Sequence, residues 1–418
     1  MLLEAQSADR ELGKELHHGQ AAQFFGVQAS GFRDGRAEQQ ILDGGTGSEG
    51  GTMTGGRPTL APEPSNKFRH SGIDCIRVVA VFIVVLLHTR FLGRESDLPS
   101  RCLHLVVMDG GRWVMPFFFT VAGYFWGRKV RSTNQQTAVS LSYGSRIFQI
   151  WLFWSLVYLF VPNDIKAFAQ YGVSALVKVP FWRLQSLLMN PEQLFFVGSR
   201  SHLWFLMALL WAVAISTVVL RYGQAKWLIW IGLGLYLFGV VAGPWSPAPF
   251  GLKIPFHTRN GPFFGTVFFA VGWQVSSDES LPARRLVHIL LWGGAALSAL
   301  EIYLLWERFG INPTADAYVL GTLPYGIGVS LLVMSKPSMA RDTAIASLGK
   351  SALGIYAIHY IFLDLLRPLD GLINARVFDF ALPATVFLLS VLSSAVLQQI
   401  TFLQRFVGPG SAKNLAVA

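Results

Sequence analysis

IDCIRVVAVFIVVLLHTRFL, residues 73–92, is the stretch that decides the fold. From Cys75 to Leu92 it is an apolar run long enough, at 1.5 Å per helical residue, to cross most of a hydrocarbon core about 30 Å thick. Arg77 and His88 stand inside it, where an ionisable side chain is costly and by default marks a functional site. Their eleven-residue separation, at about 100° per residue, returns both to nearly the same helix face, about 16 Å apart along the axis. Arginine stays charged and forks onto phosphate or carboxylate, whereas histidine exchanges a proton near neutral pH. One helix thus aligns a cation near one membrane surface with an imidazole towards the other. A plainer reading stands beside this one: Arg77 snorkels at the cytoplasmic flank, and His88 caps or pairs inside a bundle.

The rest of the chain has the same character. Its 418 residues are 52% hydrophobic and 14% charged, with a positive mean hydropathy of 0.44. Soluble domains carry about a quarter charged residues. Repeated apolar segments separated by short charged loops predict an all-α integral membrane protein, a bundle of about ten transmembrane helices. The expected spans are 74–92, 106–127, 146–162, 203–220, 227–243, 262–276, 286–305, 318–335, 347–366 and 382–404. Asp109-Gly110-Gly111 and Pro116 interrupt the second and the sixth is short, so either is a candidate for a re-entrant segment. The net charge of +10 fits Lys and Arg at cytoplasmic loop ends and near anionic lipid better than nucleic acid, for which no aromatic-basic module is present. Alternate short loops carry Arg128, Lys129 and Arg131, Arg221 and Lys226, Arg284 and Arg285, and Lys336 and Arg341. That pattern predicts both termini on the cytoplasmic side.

Residues 1–70, rich in Gly, Gln and charge, read as a disordered cytoplasmic tail, with Met53 as a possible true start. The membrane domain is expected over 71–406 and a short cytoplasmic tail over 407–418. The connection 163–202 is weakly amphipathic around Leu176 to Met189 and predicts an interfacial segment. Gly232, Gly234, Gly239, Gly321, Gly326 and Gly328 suit close helix packing. Cys75 and Cys102 form no framework and are not expected to be catalytic. Metal-ligand spacings, Walker loops and nucleophile elbows are absent, so no metal site is expected.

The Arg, ten residues, His pattern of Arg77 and His88 resembles that of the acyltransferase 3 family, multi-pass membrane O-acyltransferases of bacterial envelope sugars and secreted molecules. Three further stretches resemble it in the family's order: Pro116 to Tyr124 (PFFFTVAGY), His202 to Leu206 (HLWFL) and Gly354 to His359 (GIYAIH). There are departures. Ala122 stands where family members often have Ser, and of two expected arginines three residues apart, Arg146 fits the second while Tyr143 occupies the first.

The resemblance implies a bacterial cytoplasmic-membrane enzyme that moves an acyl group, in the first instance acetyl, from acyl-CoA to a hydroxyl of a carbohydrate, glycolipid or glycosylated metabolite. Acyl-CoA is then a donor substrate rather than a resident cofactor. Such chemistry needs a base for the hydroxyl proton, and His88 is the candidate. Arg77, Arg146, Arg128 and Arg131 are the candidates for holding donor phosphates. Asp74, one turn before Arg77, is placed to orient it. His359, mid-span in the ninth segment, is a candidate for catalytic support, and His202, Trp204 and Tyr356 for the acceptor side, with His202 and Trp204 shaping the outer mouth of a cavity or, on the plainer reading, serving as interfacial anchors. Glu301 and Asp364 rank lower because both lie near expected helix ends, where hydration is at hand. A secondary transporter with an intramembrane His/Arg ion or proton site is the alternative.

Overall fold

The computed structural model describes residues 70–93, 97–161, 170–277, 281–311, 318–339 and 343–408. Most of both expected tails, 1–69 and 409–418, lies outside them. The described residues are 80% helical and contain no strand. The longer helices are α1 (Ser71–Thr89), α2 (Leu98–Gly110), α3 (Val114–Thr133), α4 (Gln136–Phe160), α5 (Ala175–Met189), α6 (Pro191–Phe196), α7 (Trp204–Tyr222) and α8 (Ala225–Val241). They continue with α9 (Pro262–Gln274), α10 (Arg284–Phe309), α11 (Thr322–Met334), α12 (Ala344–Leu348), α13 (Ala352–Leu366), α14 (Ala375–Leu397) and α15 (Thr401–Val407).

Six segments among the described residues are long and apolar enough to cross a membrane: Ser71–Thr89, Leu98–Thr133, Ser201–Tyr222, Arg284–Phe309, Ala344–Leu369 and Ala375–Leu397. The chain is a multi-pass membrane protein. Each of the ten expected stretches contains a helix, but by length and hydropathy six qualify, not ten. The shortfall has local causes. α8, α9 and α11 span 17, 13 and 13 residues, and α4 carries Gln136, Thr137, Ser140 and Ser142 in its first turns and Arg146 and Gln149 beyond them. The interruption at Asp109-Gly110-Gly111 is one 3-10 turn between α2 and α3, so 98–133 reads as a continuous helical segment. Pro116 is only the third residue of α3, where a missing N–H is tolerated.

Close helix approach builds the bundle. α3 and α9 cross where Gly123 lies against the Phe269 carbonyl and Gly272 against the Thr120 carbonyl; a Cβ at either glycine would stand 2.1 or 2.0 Å from that oxygen. Gly321 and Gly328 do the same for α11 on α10, Gly326 meets Pro116 of α3, and Gly232 and Gly239 meet Val267 and the Tyr318 hydroxyl. Gly234, grouped with these in the sequence, faces open space. α5 takes the place of the expected interfacial segment, with Phe181 and Trp182 exposed. Arg183 ties it down by donating to the Tyr158, Leu159 and Val161 carbonyls, the orphan acceptors at the end of α4.

α1 is central, touching α3, α11, α12, α13 and α14. Its start sits beside the turn before α13, where Gly349 lies on the Asp74 backbone, and its end is met by Arg367, just after α13, whose Nη2 donates to the His88 carbonyl at 3.2 Å. α1 and α13 therefore run side by side in the same direction. That alignment places His88 and His359 at the same depth.

Candidate active site

The two ends of α1 carry two different polar clusters. At its end, His88 is 5% exposed, and its Nδ1 lies 2.9 Å from the Tyr360 hydroxyl of α13. Its ring centroid is 5.5 Å from that of His359 and 4.9 Å from that of Tyr360. His202, in the 3-10 turn that opens α7, completes the group: it stacks on Tyr360 at 4.7 Å and lies 5.5 Å from His359. Tyr158 meets His202 edge-on at 4.7 Å, and Tyr356 at 5.2 Å. Three histidines far apart in sequence thus share one buried site with three tyrosines.

Hydrogen bonds fix much of this cluster. The Tyr356 hydroxyl donates to the His202 carbonyl, and the Tyr158 hydroxyl donates to the Ala357 carbonyl at 2.5 Å. His359 Nδ1 contacts the Tyr356 carbonyl; because a carbonyl only accepts, this nitrogen carries a proton. Neither ring nitrogen of His202 makes a hydrogen bond of good geometry. Behind the cluster, Arg200 Nη2 lies 2.6 Å from both carboxylate oxygens of Asp364, and its guanidinium sits 4.9 Å from the Tyr360 ring centroid.

At the start of α1, Arg77 is 2% exposed and donates from Nη1 to Asp74 at 2.8 Å. Its guanidinium lies 5.4 Å from the Phe125 ring, while Nε and Nη2 have no hydrogen-bond partner among the described residues. The buried Tyr143 hydroxyl, also without one, is close enough to feel both Arg77 and Arg146. Arg146 donates to the Gly408 carbonyl at 3.0 Å. Arg128 is exposed and reaches the Tyr124 hydroxyl at 3.2 Å, which in turn lies 3.3 Å from His70 Nε2. Burial, and then the neighbouring Arg128 charge, hold the His70 imidazole below its ordinary value of 6.5. Arg131 is engaged elsewhere, on the Ser276 hydroxyl at 3.1 Å and over the Trp273 ring at 4.0 Å, clamping the end of α9.

The structure therefore brings together His88, His359, His202 and Tyr356 at one end, and Arg77, Asp74, Arg146 and Arg128 towards the other. Trp204 is fully buried, with Arg259 4.9 Å from its ring, rather than lining an outer mouth. His202, 1% exposed, is equally enclosed because the 3-10 turn folds inward ahead of α7. Asp364 and Glu301 are not hydrated helix ends either. Both are 4% exposed; Glu301 accepts from Trp245 Nε1 at 2.6 Å and from the Gly321 N–H at 3.0 Å. Tyr360, Tyr158 and Arg200 were not singled out in the sequence. Among the described residues, no cluster of His, Cys, Asp and Glu has the geometry to hold a metal ion.

The acyltransferase 3 family, described as an acyltransferase domain, matches residues 70–398. The chain belongs to this family. The matched acyltransferase domain takes in both polar clusters. Among curated proteins it is similar to a serine/alanine racemase of Enterococcus gallinarum, 30% identical over 242 residues, 53% of this chain and 32% of the relative. Two amino-acid racemases of Enterococcus faecalis are 24% and 26% identical, over 60% and 54% of this chain and 34% and 32% of theirs. The chain thus spans about a third of the length of these relatives, whose names describe the whole proteins. No solved structure matches it significantly.

Proposed function

We propose that this acyltransferase is an O-acyltransferase of the bacterial cytoplasmic membrane, with both termini cytoplasmic and its expected ten crossings, that moves an acetyl group from acetyl-CoA to a hydroxyl of a carbohydrate or glycoconjugate. The observation that carries the reading is the contact of His88 Nδ1 with Tyr360, 272 residues away, inside a buried imidazole cluster on the helix that also buries Arg77. His88 takes the proton of the acceptor hydroxyl. The acceptor oxygen attacks the thioester carbonyl, the C–S bond breaks, and the departing thiolate takes the proton back from the imidazolium. An ester and free CoA result.

The donor's phosphates fit the other end of α1. Arg77 offers two nitrogens, Nε and Nη2, that no acceptor among the described residues uses, with Tyr143 and Arg146 beside it and Arg128 at the surface. From there the long pantetheine arm carries the acyl group along α1 towards His88. His359, held by its Nδ1 on the Tyr356 carbonyl, supports the same site, and the enclosed His202 and Trp204 face the acceptor, with Tyr356 fixing the backbone at His202. Arg131, occupied at the end of α9, is the weakest of the four donor candidates.

Sealed proteoliposomes test this against transport. Given acetyl-CoA on one side and an envelope-glycan extract, the purified protein is expected to produce free CoA and a hydroxylamine-labile acetyl ester in equal amounts. Accumulation of an unmodified solute, with no ester, would instead support a transporter with a His/Arg proton or ion site.

A further inference from the structure

Tyr360 lies one residue beyond the Gly354 to His359 stretch and has no place in the catalytic assignment above, yet it touches every part of the histidine cluster. Two pairs of residues interlock around it. Arg200 and His202 precede α7; Tyr360 and Asp364 lie one turn apart on α13. The His202 ring lies nearly parallel to that of Tyr360, with 11° between planes and 4.7 Å between centroids. Arg200 sits 4.9 Å from the same ring, itself fixed by both oxygens of Asp364. Tyr360 is 3% exposed. A ring so enclosed keeps one orientation, and its hydroxyl stands 2.9 Å from His88 Nδ1.

We infer that Tyr360 is a positioning residue for His88: its hydroxyl oxygen accepts the Nδ1–H, so that Nε2 presents its lone pair to the acceptor hydroxyl. The inference rests on the acyl-transfer reading. An imidazole serves as base at one nitrogen only when the proton sits on the other, and a partner at that second nitrogen selects the tautomer and steadies the imidazolium that forms. Tyr360 keeps its own proton throughout. Among the described residues, the charged and titratable groups facing His88 include His359 and Tyr360, with His202 and the Arg200–Asp364 pair behind them and Arg367 on the His88 carbonyl. Removing one hydroxyl leaves all the others in place.

The test is Tyr360→Phe, assayed as transfer of radiolabelled acetyl from acetyl-CoA to the envelope glycolipid of a deletion strain in membrane vesicles. The expected result is a kcat lower by about ten- to a hundredfold with the acetyl-CoA KM within about twofold of wild type. The acidic limb of the kcat profile moves to lower pH, because the imidazolium has lost an acceptor. Placing 3-fluorotyrosine at position 360 keeps the shape, weakens the acceptor oxygen and shifts both readouts part-way; it decides the matter if Tyr360→Phe does not accumulate. Wild-type kcat and an unmoved acidic limb in the variants would overturn the inference, as would a fall in kcat with the limb unmoved, which is the mark of a packing role. If His88→Ala keeps wild-type transfer, the acyl-transfer reading falls and this inference with it; if His88→Ala is inactive while Tyr360→Phe is unimpaired, only the inference falls.

Discussion

Replacing Arg77 with lysine separates its two possible duties. Among the described residues the guanidinium makes one ion pair, Nη1 to Asp74 at 2.8 Å, and leaves Nε and Nη2 without partners in a site 2% exposed. If the ion pair were its whole duty, Arg77→Lys would keep a cation beside Asp74 and the donor would bind as before. If the free edge holds donor phosphate, lysine restores the charge but not the planar fork. A hydrogen bond to a charged group is worth about 1.5–3 kcal/mol, so the loss of one such contact corresponds to about ten- to a hundredfold in donor affinity. The expected outcome for Arg77→Lys is therefore an acetyl-CoA KM higher by about that factor, with kcat at saturating donor much less affected. Initial rates of acetyl transfer in membrane vesicles over a range of acetyl-CoA, at matched protein abundance, measure it. A KM within about twofold of wild type would refute the donor role and leave Arg77 as the structural partner of Asp74.

Two further outcomes follow from packing and charge. Gly272→Ala puts a methyl 2.0 Å from the Thr120 carbonyl oxygen and 2.7 Å from the Tyr124 nitrogen, backbone atoms that move only with their helix. Thermal unfolding in detergent is expected to show a loss of about 1–3 kcal/mol or more, whereas Gly234→Ala, with nothing within 4 Å, stays close to wild type. Arg200→Met strands the Asp364 carboxylate, 4% exposed, and is expected to cost about 3–5 kcal/mol in the same measurement. Adding Asp364→Leu recovers most of it, and failure to recover would show that Arg200 stabilises the fold through other contacts.

The helices were legible from apolar length, and the Asp74 to Arg77 spacing of three residues already paired those side chains. His88 and His359 stood out because each sits in an apolar run where a titratable group is costly. What brings them together, the shared direction of α1 and α13, is a tertiary fact, and no local pattern encodes it. The same limit applies to Asp364. Two residues from the end of α13 it looked accessible to water, but Arg200, 164 residues earlier, closes over it. Glu301 was misplaced for the same reason, its partners being Trp245 and the Gly321 N–H. His202 and Trp204 read as an outer rim because they open an apolar helix; the inward 3-10 turn buries them. Tyr360 did carry a signal, its adjacency to His359. A tyrosine in a membrane helix is ordinarily an interfacial anchor, and only its contacts in the bundle distinguish it.

The most direct test of acyl transfer at His88 is mass spectrometry of envelope glycans and secreted glycosylated metabolites from cells carrying the wild-type gene, His88→Ala or no gene, at verified abundance. Acyl transfer at His88 predicts one species heavier by a single acyl group, present with wild type and missing from the other two. The same acylated species at wild-type level in His88→Ala cells, or identical spectra in all three with the unmodified acceptors detected, would contradict it.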